Sequence, residues 1–449
     1  MDMRILHGEG TTSVSGARGA VSRAAFRRRV HALRTALDLH PARRWALICD
    51  DSGWFGAGLL ALAGGGREIV LPQAPQAGAL RDIRVDAVLT DIPGAFTGMP
   101  LLAVAEPGDE LDAPPAMPDD AVRIEFYTSG SSGAPKCVPK TYAQLRLEVE
   151  ALERQWGSGL GVARVVGTVP HHHLYGLLFR VLWPLTAGRT FHSQMCLQPV
   201  ELRAAVGTEP CVVVSSPAFL SRVQVADLPA STQVRALFSS GAPLPDEAAR
   251  ALGENWGRAA IEVYGSTETG GIAWRAWDGA DARPWWRPIE GVAAEIREDE
   301  AGPRLWAKSG CTWRHDWMPS GDLARAGADG RFALQGRADD VLKLEDKRVS
   351  LGEMCAHLVS HPWVAEARLV LLPGKRQQIG AVVVLEAEGR AALEREGKRL
   401  LQEKLREALG TRYEALLLPR KWRFPDALPG NAMGKTEQAR LLALFEAGP

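Results

Sequence analysis

Small and hydroxyl-bearing residues crowd the segment between positions 127 and 136, directly after an apolar run that predicts a buried strand. Glycines let a backbone approach a phosphate chain closely, while hydroxyls, backbone amides and a lysine supply hydrogen bonds and positive charge. The residues concerned are Thr128, Ser129, Gly130, Ser131, Ser132, Gly133 and Lys136. By itself this segment fits two interpretations, a phosphate-binding loop or a flexible Ser/Gly linker.

A carboxylate beside hydroxyl groups follows another predicted strand. Tyr264, Gly265 and Ser266 lead directly into Thr267 and Glu268. Oxygen ligands of this kind suit a hard cation such as Mg²⁺, which prefers carboxylates and phosphates. Many turns share this composition, so the segment alone does not separate a magnesium site from an ordinary turn.

Two charged residues, Asp322 and Arg337, each come directly after a glycine. The carboxylate of Asp322 can accept hydrogen bonds from a ribose diol, and the guanidinium of Arg337 can reach a sugar or phosphate oxygen. The other interpretation is a Gly-Asp turn followed by a solvated run of charges.

The segment from Gly430 to Thr436 is similar to the phosphate-binding loop of P-loop phosphotransferases. One residue too few separates Gly430 from Gly434 for that loop. The spacing therefore disfavours a P-loop phosphotransferase, and it leaves Lys435 as a cation for some other role.

The elements that must position these residues follow from an alternation of short apolar runs and helical patterns. This alternation predicts an α/β protein with largely parallel sheets. Predicted strands are 46–49, 69–71, 86–90, 124–127, 165–169, 211–214, 236–238 and 261–264, and 55–63 is predicted as a helix. From about residue 339 the pattern indicates a compact α+β unit with helices near 351–361 and 390–409. We therefore predict two domains, residues 1–338 and 339–449.

The first helix is predicted from four apolar residues, Phe26, Val30, Leu33 and Leu37, whose spacing places them on one face. The basic run 27–29 is then predicted to lie on the opposite, solvent-exposed face.

The overall composition disfavours several classes of partner. The chain has 53 basic and 53 acidic residues, so its formal net charge is zero and it has no long-range attraction for nucleic acid or an anionic membrane. None of the six cysteines forms a C-x-x-C pair, and no signal pattern or bilayer-spanning run is evident. We expect a cytoplasmic protein that binds neither nucleic acid nor a membrane.

Taken together and in this order, the four chemical segments resemble those of the adenylate-forming superfamily, which includes acyl- and aryl-CoA synthetases and adenylation domains. The resemblance runs from about Phe26 to the end of the sequence. It implies a large N-terminal domain of layered α/β sheets and a small, mobile α+β C-terminal domain. It also implies ATP and Mg²⁺ as cofactors, a carboxylic acid converted to an acyl-adenylate with pyrophosphate release, and transfer of the acyl group to a thiol.

The resemblance also implies roles for individual residues. The Ser/Gly loop and Lys136 would hold the ATP phosphates, and Asp322 and Arg337 would bind the ribose. Thr267 would contact the α-phosphate, Glu268 would hold Mg²⁺, and Lys435 would be the catalytic lysine of the C-terminal domain. The remaining nucleotide-binding residues would be Gly241, Ala242, Pro243, Tyr264, Gly265, Ser266 and Lys343.

The acid-binding pocket is expected beside the segment from Pro170 to Gly176. The resemblance places His173 in both the pocket and the catalytic set, and the other predicted pocket residues are Tyr175, Gly176, Phe179 and Ser240. Because no acidic residue occurs between positions 165 and 198, an amino-acid substrate is disfavoured. We favour an aryl acid such as a hydroxybenzoate, with short or medium fatty acids as the alternative. Two other interpretations are Tyr175 and Phe179 as simple core residues and the three adjacent histidines as a metal cluster, which their geometry disfavours.

The acyl acceptor is expected to be CoA or the phosphopantetheine of a carrier protein. Two residues depart from the family pattern, since Cys137 and Asp346 stand where glycines are common. Of the two, Asp346 bears on the thiol step, because the resemblance places it near the path of the incoming thiol. The resemblance places the hinge between the two half-reactions at Asp339. A non-catalytic nucleotide-binding relative is the alternative of a different class.

Overall fold

The computed structural model describes most of the chain. The described residues are 12–16, 19–72, 80, 82–92, 94, 96, 98–108, 120–129, 135–277, 279, 285–300, 302–312, 316–338, 341–344, 347–372, 378–415, 417–429 and 438–446. For 12, 13, 129, 135, 341–344, 347–350, 353 and 439, only the backbone is described.

Helices and strands alternate as predicted. The α-helices are α1 Arg23–Asp38, α2 Ser52–Gly64, α3 Tyr142–Leu160, α4 Leu174–Gly176, α5 Trp183–Ala187, α6 Pro199–Val206, α7 Pro217–Leu220, α8 Asp246–Arg250, α9 Leu351–Val359, α10 Ala387–Gly410 and α11 Gln438–Glu446. Shorter π or 3₁₀ segments are Leu177–Leu182, Val225–Asp227, Ser231–Gln233, Ala251–Asn255 and Ala328–Gly330.

The strands, numbered along the chain, extend from the first described residues to the C-terminal part. They are β1 Thr12–Ser15, β2 Val21–Ser22, β3 Arg44–Ile48, β4 Glu68–Leu71, β5 Ala87–Thr90, β6 Leu101–Ala103, β7 Arg123–Ser129, β8 Pro135–Thr141, β9 Arg164–Gly167, β10 Phe191–Met195, β11 Cys211–Ser215, β12 Val234–Ser240, β13 Ala260–Ser266, β14 Gly270–Ala276, β15 Trp285–Pro288, β16 Ala293–Asp299, β17 Gly302–Lys308, β18 Met318–Ala326, β19 Phe332–Arg337, β20 Val341–Leu344, β21 Lys347–Ser350, β22 Val364–Leu372, β23 Gln378–Leu385 and β24 Lys421–Arg423.

Two large sheets contain most of the strands. Within the described part of the chain, one sheet has the order β6-β5-β3-β4-β7-β8, with all neighbours parallel except the β7–β8 hairpin. The other has a parallel centre, β13-β12-β11-β9-β10-β1, as expected of strands connected by helices. Because β12 and β13 are parallel, their carboxyl ends lie side by side at one edge of the sheet.

The prediction of largely parallel sheets is wrong for the second half of this large sheet. The chain reverses after β13, and β14, β15, β19, β18, β17 and β16 continue the sheet with antiparallel pairing. Their side chains are only partly buried, for example in β16. A half-exposed antiparallel strand has few consecutive apolar residues, so its sequence signal is weaker than that of a buried parallel strand.

The core of the first 300 residues surrounds α2, whose residues from Ser52 to Ala63 are all buried. The predicted apolar face of α1 is also buried, including Phe26 and Leu37. One residue of the basic run was assigned wrongly. Arg29 is only 6% exposed, pairs with Glu106, and lies 4.2 Å from the centre of the Trp54 ring.

The C-terminal part has a hydrophobic cluster of its own, in which α9 and α10 pack on β22 and β23. Its strands form a two-stranded sheet, β20-β21, and a three-stranded sheet, β22-β23-β24, among the described residues. The predicted helix at 390–409 lies within α10, where Gly397 interrupts the helical backbone with φ of 84°. The domain boundary at 338/339 stays a prediction, since Asp339 lies outside the described residues. In the described part of the chain, no helix is long and apolar enough to cross a membrane.

Candidate active site

A cavity of about 280 Å³ opens where the carboxyl ends of β12 and β13 meet α3 and the start of α4. A crevice at the carboxyl ends of parallel strands is the usual ligand site in open α/β sheets. Nine residues predicted from the sequence line this cavity: Thr128, His173, Tyr175, Phe179, Ser240, Gly241, Gly265, Ser266 and Thr267. The fold therefore brings predicted nucleotide-binding and acid-binding residues to one place.

Hydrogen bonds hold the strand ends in position at this edge. The Ser240 hydroxyl donates to the Val263 carbonyl oxygen at 2.7 Å, linking β12 to β13. In the turn after β13, the backbone amide of Ser266 donates to Thr269 Oγ1 at 3.0 Å. A Cβ on Gly265 would lie 2.1 Å from the carbonyl oxygen of Gly270, so only glycine permits this close pairing of β13 and β14.

Tyr264, Asp322 and Arg337 are brought together beside the cavity. The Tyr264 hydroxyl donates to Asp322 Oδ2 at 2.5 Å, and Asp322 faces Arg337 across the β18–β19 pair. A Cβ on Gly321 would lie 2.3 Å from Arg337 Nη1, so this glycine makes room for the guanidinium. Burial, reinforced by the Asp322 carboxylate, raises the pKa of Tyr264 well above its usual range, so the phenol stays protonated and available as a donor.

The predicted phosphate-binding lysine and the predicted magnesium ligand form an ion pair. Lys136 Nζ lies 2.5 Å from Glu268 Oε1. Burial opposes ionisation of Glu268, but the hydrogen bond and charge of Lys136, together with hydrogen bonds from the Glu268 backbone amide and Ser266, outweigh burial, and the pKa of Glu268 is lowered. This carboxylate is therefore charged at neutral pH, as a ligand for a hard cation must be. No group of three or more potential metal-ligating side chains occurs among the described residues, so ATP phosphate oxygens would have to complete a magnesium shell around Glu268.

The three adjacent histidines do not converge on one point. The ring of His171 is buried, with Nε2 2.8 Å from the Cys49 carbonyl oxygen, and it packs against Phe55. Burial lowers the pKa of His171 well below its usual range and that of His172 to about 4. Both imidazoles are therefore neutral at neutral pH, and neither supplies positive charge. His173 reaches the cavity wall.

Tyr175 and Phe179 belong to both the cavity wall and the core. Their rings lie 4.8 Å apart, and Phe179 continues into an aromatic cluster with Trp183 and Phe238. Tyr175 and Phe179 therefore fit both interpretations that the sequence left open, as pocket residues and as core residues. Gly176 instead packs against the backbone of Pro170.

Several predicted residues lie away from the cavity lining or outside the described part. Ala242 and Pro243 are exposed in the loop after β12. Residues Gly130, Ser131, Ser132, Gly133, Asp339 and Lys435 lie outside the described residues, and the side chains of Ser129 and Lys343 are not described.

Sequence reasoning missed a buried carboxylate in the wall of the cavity, that of Glu148 on α3. It sits in the apolar stripe of that helix, between Leu145 and Leu152 and next to Val149, all of which are buried. An acidic residue inside a helical apolar stripe is a signal that could have identified it.

Comparison with known proteins identifies the class that this arrangement serves. A family model described as AMP-binding enzyme matches residues 37–308. The chain belongs to this family, and the predicted membership of the adenylate-forming superfamily is confirmed.

Relatives and solved structures agree with this assignment. The 4-coumarate–CoA ligase of Rhodobacter capsulatus is 31% identical over 323 residues, covering 70% of this chain and 75% of the relative. The sulfoacetate–CoA ligase of Cupriavidus necator is 30% identical over 398 residues, covering 81% and 75%. The structure of ATP-bound MatB from Rhodopseudomonas palustris has a TM-score of 0.81 at 20% identity, covering 100% of this chain and 99% of that one, and so shares the fold. By class, the protein is an ATP-dependent, AMP-forming acid–thiol ligase.

Proposed function

We propose that this ligase activates an aryl acid, such as a hydroxybenzoate or a cinnamate, and transfers the acyl group to a thiol. The observation that supports this proposal is the shape and lining of the cavity. Its wall contains the rings of Tyr175 and Phe179, and the hydroxyls of Thr128 and Thr267 lie in the same cavity. A flat apolar ring can pack against the aromatic wall while its carboxylate meets the hydroxyl-lined part.

In the proposed first half-reaction, a carboxylate oxygen of the acid attacks the α-phosphorus of ATP and pyrophosphate leaves. Both reactants are anions, so positive charge must be fixed near the reacting atoms. We assign this role to Lys435, with Thr267 donating to the α-phosphate. A Mg²⁺ ion held by Glu268 would supply further positive charge when bound. Asp322, hydrogen-bonded by Tyr264, would accept from the ribose hydroxyls.

In the proposed second half-reaction, a thiolate attacks the carbonyl carbon of the acyl-adenylate and AMP leaves. The names of the relatives support CoA as the acceptor. Phosphopantetheine on a carrier protein has the same reacting thiol and is the alternative acceptor. The two acceptors are distinguished by supplying the enzyme that holds bound acyl-adenylate with either CoA or a carrier protein bearing a free phosphopantetheine thiol, and measuring release of AMP.

Acid-dependent exchange of labelled pyrophosphate into ATP, in the presence of Mg²⁺, tests the proposed substrate class. The panel contains aryl, fatty and amino acids, and we expect exchange with aryl acids. Fatty acids are the second candidate, and exchange confined to them would refute the aryl proposal.

The same exchange assay tests the assignment of Lys435. Loss of one fixed positive group at a reacting centre slows the step by about 100-fold or more, and we expect this of Lys435→Ala. Lys404→Ala is the matched control, because Lys404 is an exposed residue of α10. Wild-type exchange rates in Lys435→Ala would contradict the assignment.

A further inference from the structure

Glu148 is a carboxylate in a place where the helix pattern calls for an apolar side chain. It is 5% exposed and lines the cavity. Its Oε1 accepts a hydrogen bond from the backbone amide of Gly271 at 2.7 Å. Its Oε2 is buried and makes no hydrogen bond to any described residue. A buried carboxylate oxygen with unused acceptor capacity is uncommon in folded proteins and calls for an explanation.

The surroundings keep this carboxylate close to the cavity rather than turned away from it. A Cβ on Gly270 would lie 2.9 Å from each carboxylate oxygen, so the glycine leaves the space that the carboxylate occupies. Lys140 is also buried, but its Nζ donates to the Cys311 carbonyl oxygen at 2.6 Å. Burial raises the pKa of Glu148, while the nearby charge of Lys140 and the Gly271 amide oppose that rise.

A buried pair of opposite charges rarely stabilises a fold more than apolar residues of similar volume would. The presence of Glu148 within an apolar stripe therefore favours a function beyond folding. The carboxylate of an acid substrate is attracted to donors such as Thr128 and Thr267, which leaves the acceptor atom of Glu148 for a different group of the acid.

We propose that Glu148 determines substrate specificity by accepting, through Oε2, a hydrogen bond from an O–H or N–H group carried by the acid at a distance from its carboxylate. The corresponding substrates are hydroxy- or amino-substituted aryl acids. This inference rests on the proposed function, since it selects among the aryl acids named there. The hydrogen bond to Glu148 would give the acid one orientation, in which its carboxylate points toward Thr128 and Thr267.

Matched pairs of acids test this proposal. Each pair consists of an acid with a hydroxyl or amine and the same acid without it, and the measurement is kcat/KM in pyrophosphate exchange. Hydroxybenzoate against benzoate is one pair, and an ω-hydroxy fatty acid against its parent is another. We expect the wild-type enzyme to prefer the donor-bearing acid, and Glu148→Gln to reduce that preference by roughly 10- to 100-fold.

Glu150→Gln is the matched control, because it makes the same chemical change on the same helix at a residue that pairs with Arg146 and does not line the cavity. It should leave the preference unchanged. If Glu148→Gln lowers kcat/KM for both acids of each pair equally, Glu148 has only a structural role and the proposal is wrong.

Two further outcomes separate this proposal from the proposed function. Exchange with fatty acids alone would refute the aryl substrate, but the ω-hydroxy pair would still test Glu148. If Glu148→Gln does not fold, the wild-type enzyme decides: equal kcat/KM for both members of each pair overturns the proposal, and a strong preference for the donor-bearing acid supports it.

Discussion

The ion pair between Lys136 and Glu268 joins two segments that the sequence places 132 residues apart. Each side chain neutralises the other, so the proposed phosphate-binding lysine and the proposed magnesium ligand are held without an uncompensated charge. An ATP–Mg²⁺ complex carries a phosphate that would replace Glu268 as the partner of Lys136, and a cation that would replace Lys136 as the partner of Glu268. If ATP–Mg²⁺ binds, Lys136 would contact phosphate and Glu268 would contact Mg²⁺ in place of each other. The charge of each side chain would therefore stay balanced throughout binding.

Replacement of Glu268 tests the magnesium assignment. Glu268→Gln keeps the shape but removes the charge, and even indirect changes around a metal site weaken binding by about tenfold or more. We therefore expect the Mg²⁺ concentration needed for half-maximal pyrophosphate exchange to rise by at least about tenfold. Glu254→Gln, at an exposed position, is the control and should leave this concentration unchanged. An unaltered magnesium requirement in Glu268→Gln would argue for another ligand.

At the scale of elements, one helical segment carries Tyr175 and Phe179, two of the predicted acid-binding side chains. It starts at α4, passes through the π-helical turn Leu177–Leu182 and ends with α5. π-Helical turns are rare and often occur at functional sites. Here Arg180 donates to the carbonyl oxygens of Val169 and Gln194, which anchors the turn to the loop before His173.

Gly176 tests how closely this helical segment must pack. Its backbone has helical angles that alanine also adopts, but a Cβ would lie 2.0 Å from the Pro170 carbonyl oxygen. The backbone must shift to relieve the clash, so we expect Gly176→Ala to destabilise the protein by about 1–3 kcal/mol. The shift would also displace His173 and Tyr175 and raise KM for the acid. Thermal melting and steady-state kinetics measure the two effects.

Gly159→Ala is the matched control for this substitution. Gly159 lies in α3, and a Cβ there would have no neighbouring atom within 4 Å. We therefore expect Gly159→Ala to leave the free energy of unfolding unchanged or to raise it by up to about 1 kcal/mol. Equal melting temperatures and KM values for both variants would show that the Pro170 contact does not position the pocket.

At the scale of the whole molecule, the hydrophobic clusters of the described C-terminal residues are separate from those of the large sheets, as the proposed motion of the C-terminal domain would require. The cluster around α9 and α10 contains residues from 351 to 422, and that around α2 contains residues from 14 to 289, among the described residues. Separate cores allow a hinge between them without exposure of either.

Proline at the proposed hinge tests this motion. Asp339→Pro fixes φ at about −65° and so restricts rotation at the proposed hinge. We expect this variant to preserve pyrophosphate exchange and to slow thioester formation severely. Asp339→Ala, which leaves φ free, should support both half-reactions. Equal loss of both steps in Asp339→Pro would place the hinge elsewhere. Thiol-dependent AMP release and pyrophosphate exchange, measured on the same preparations, separate the two steps.

The sequence by itself determined the candidate reacting groups and the strands that end near them. Tyr264 to Glu268 follows an apolar run that forms β13, and the order of the segments predicts the superfamily. Strands and turns are predicted from local sequence, because an apolar run favours a strand and a glycine favours a turn within a few residues. The antiparallel strands from β14 to β18 gave little local signal, since many of their side chains are half exposed.

Only the tertiary structure decided which charged residues are buried and what they face. Glu148 accepts its hydrogen bond from the backbone amide of Gly271, 123 residues away in the sequence. Arg29 is buried in contact with Glu106 and the Trp54 ring, which are also distant in the sequence. The apolar stripe of α3 is a sequence signal that Glu148 is buried, but the groups that its carboxylate faces have no local sequence signal. Its environment is set by distant residues that the fold brings near, so the carboxylate of Glu148 became a candidate specificity determinant only in the folded chain.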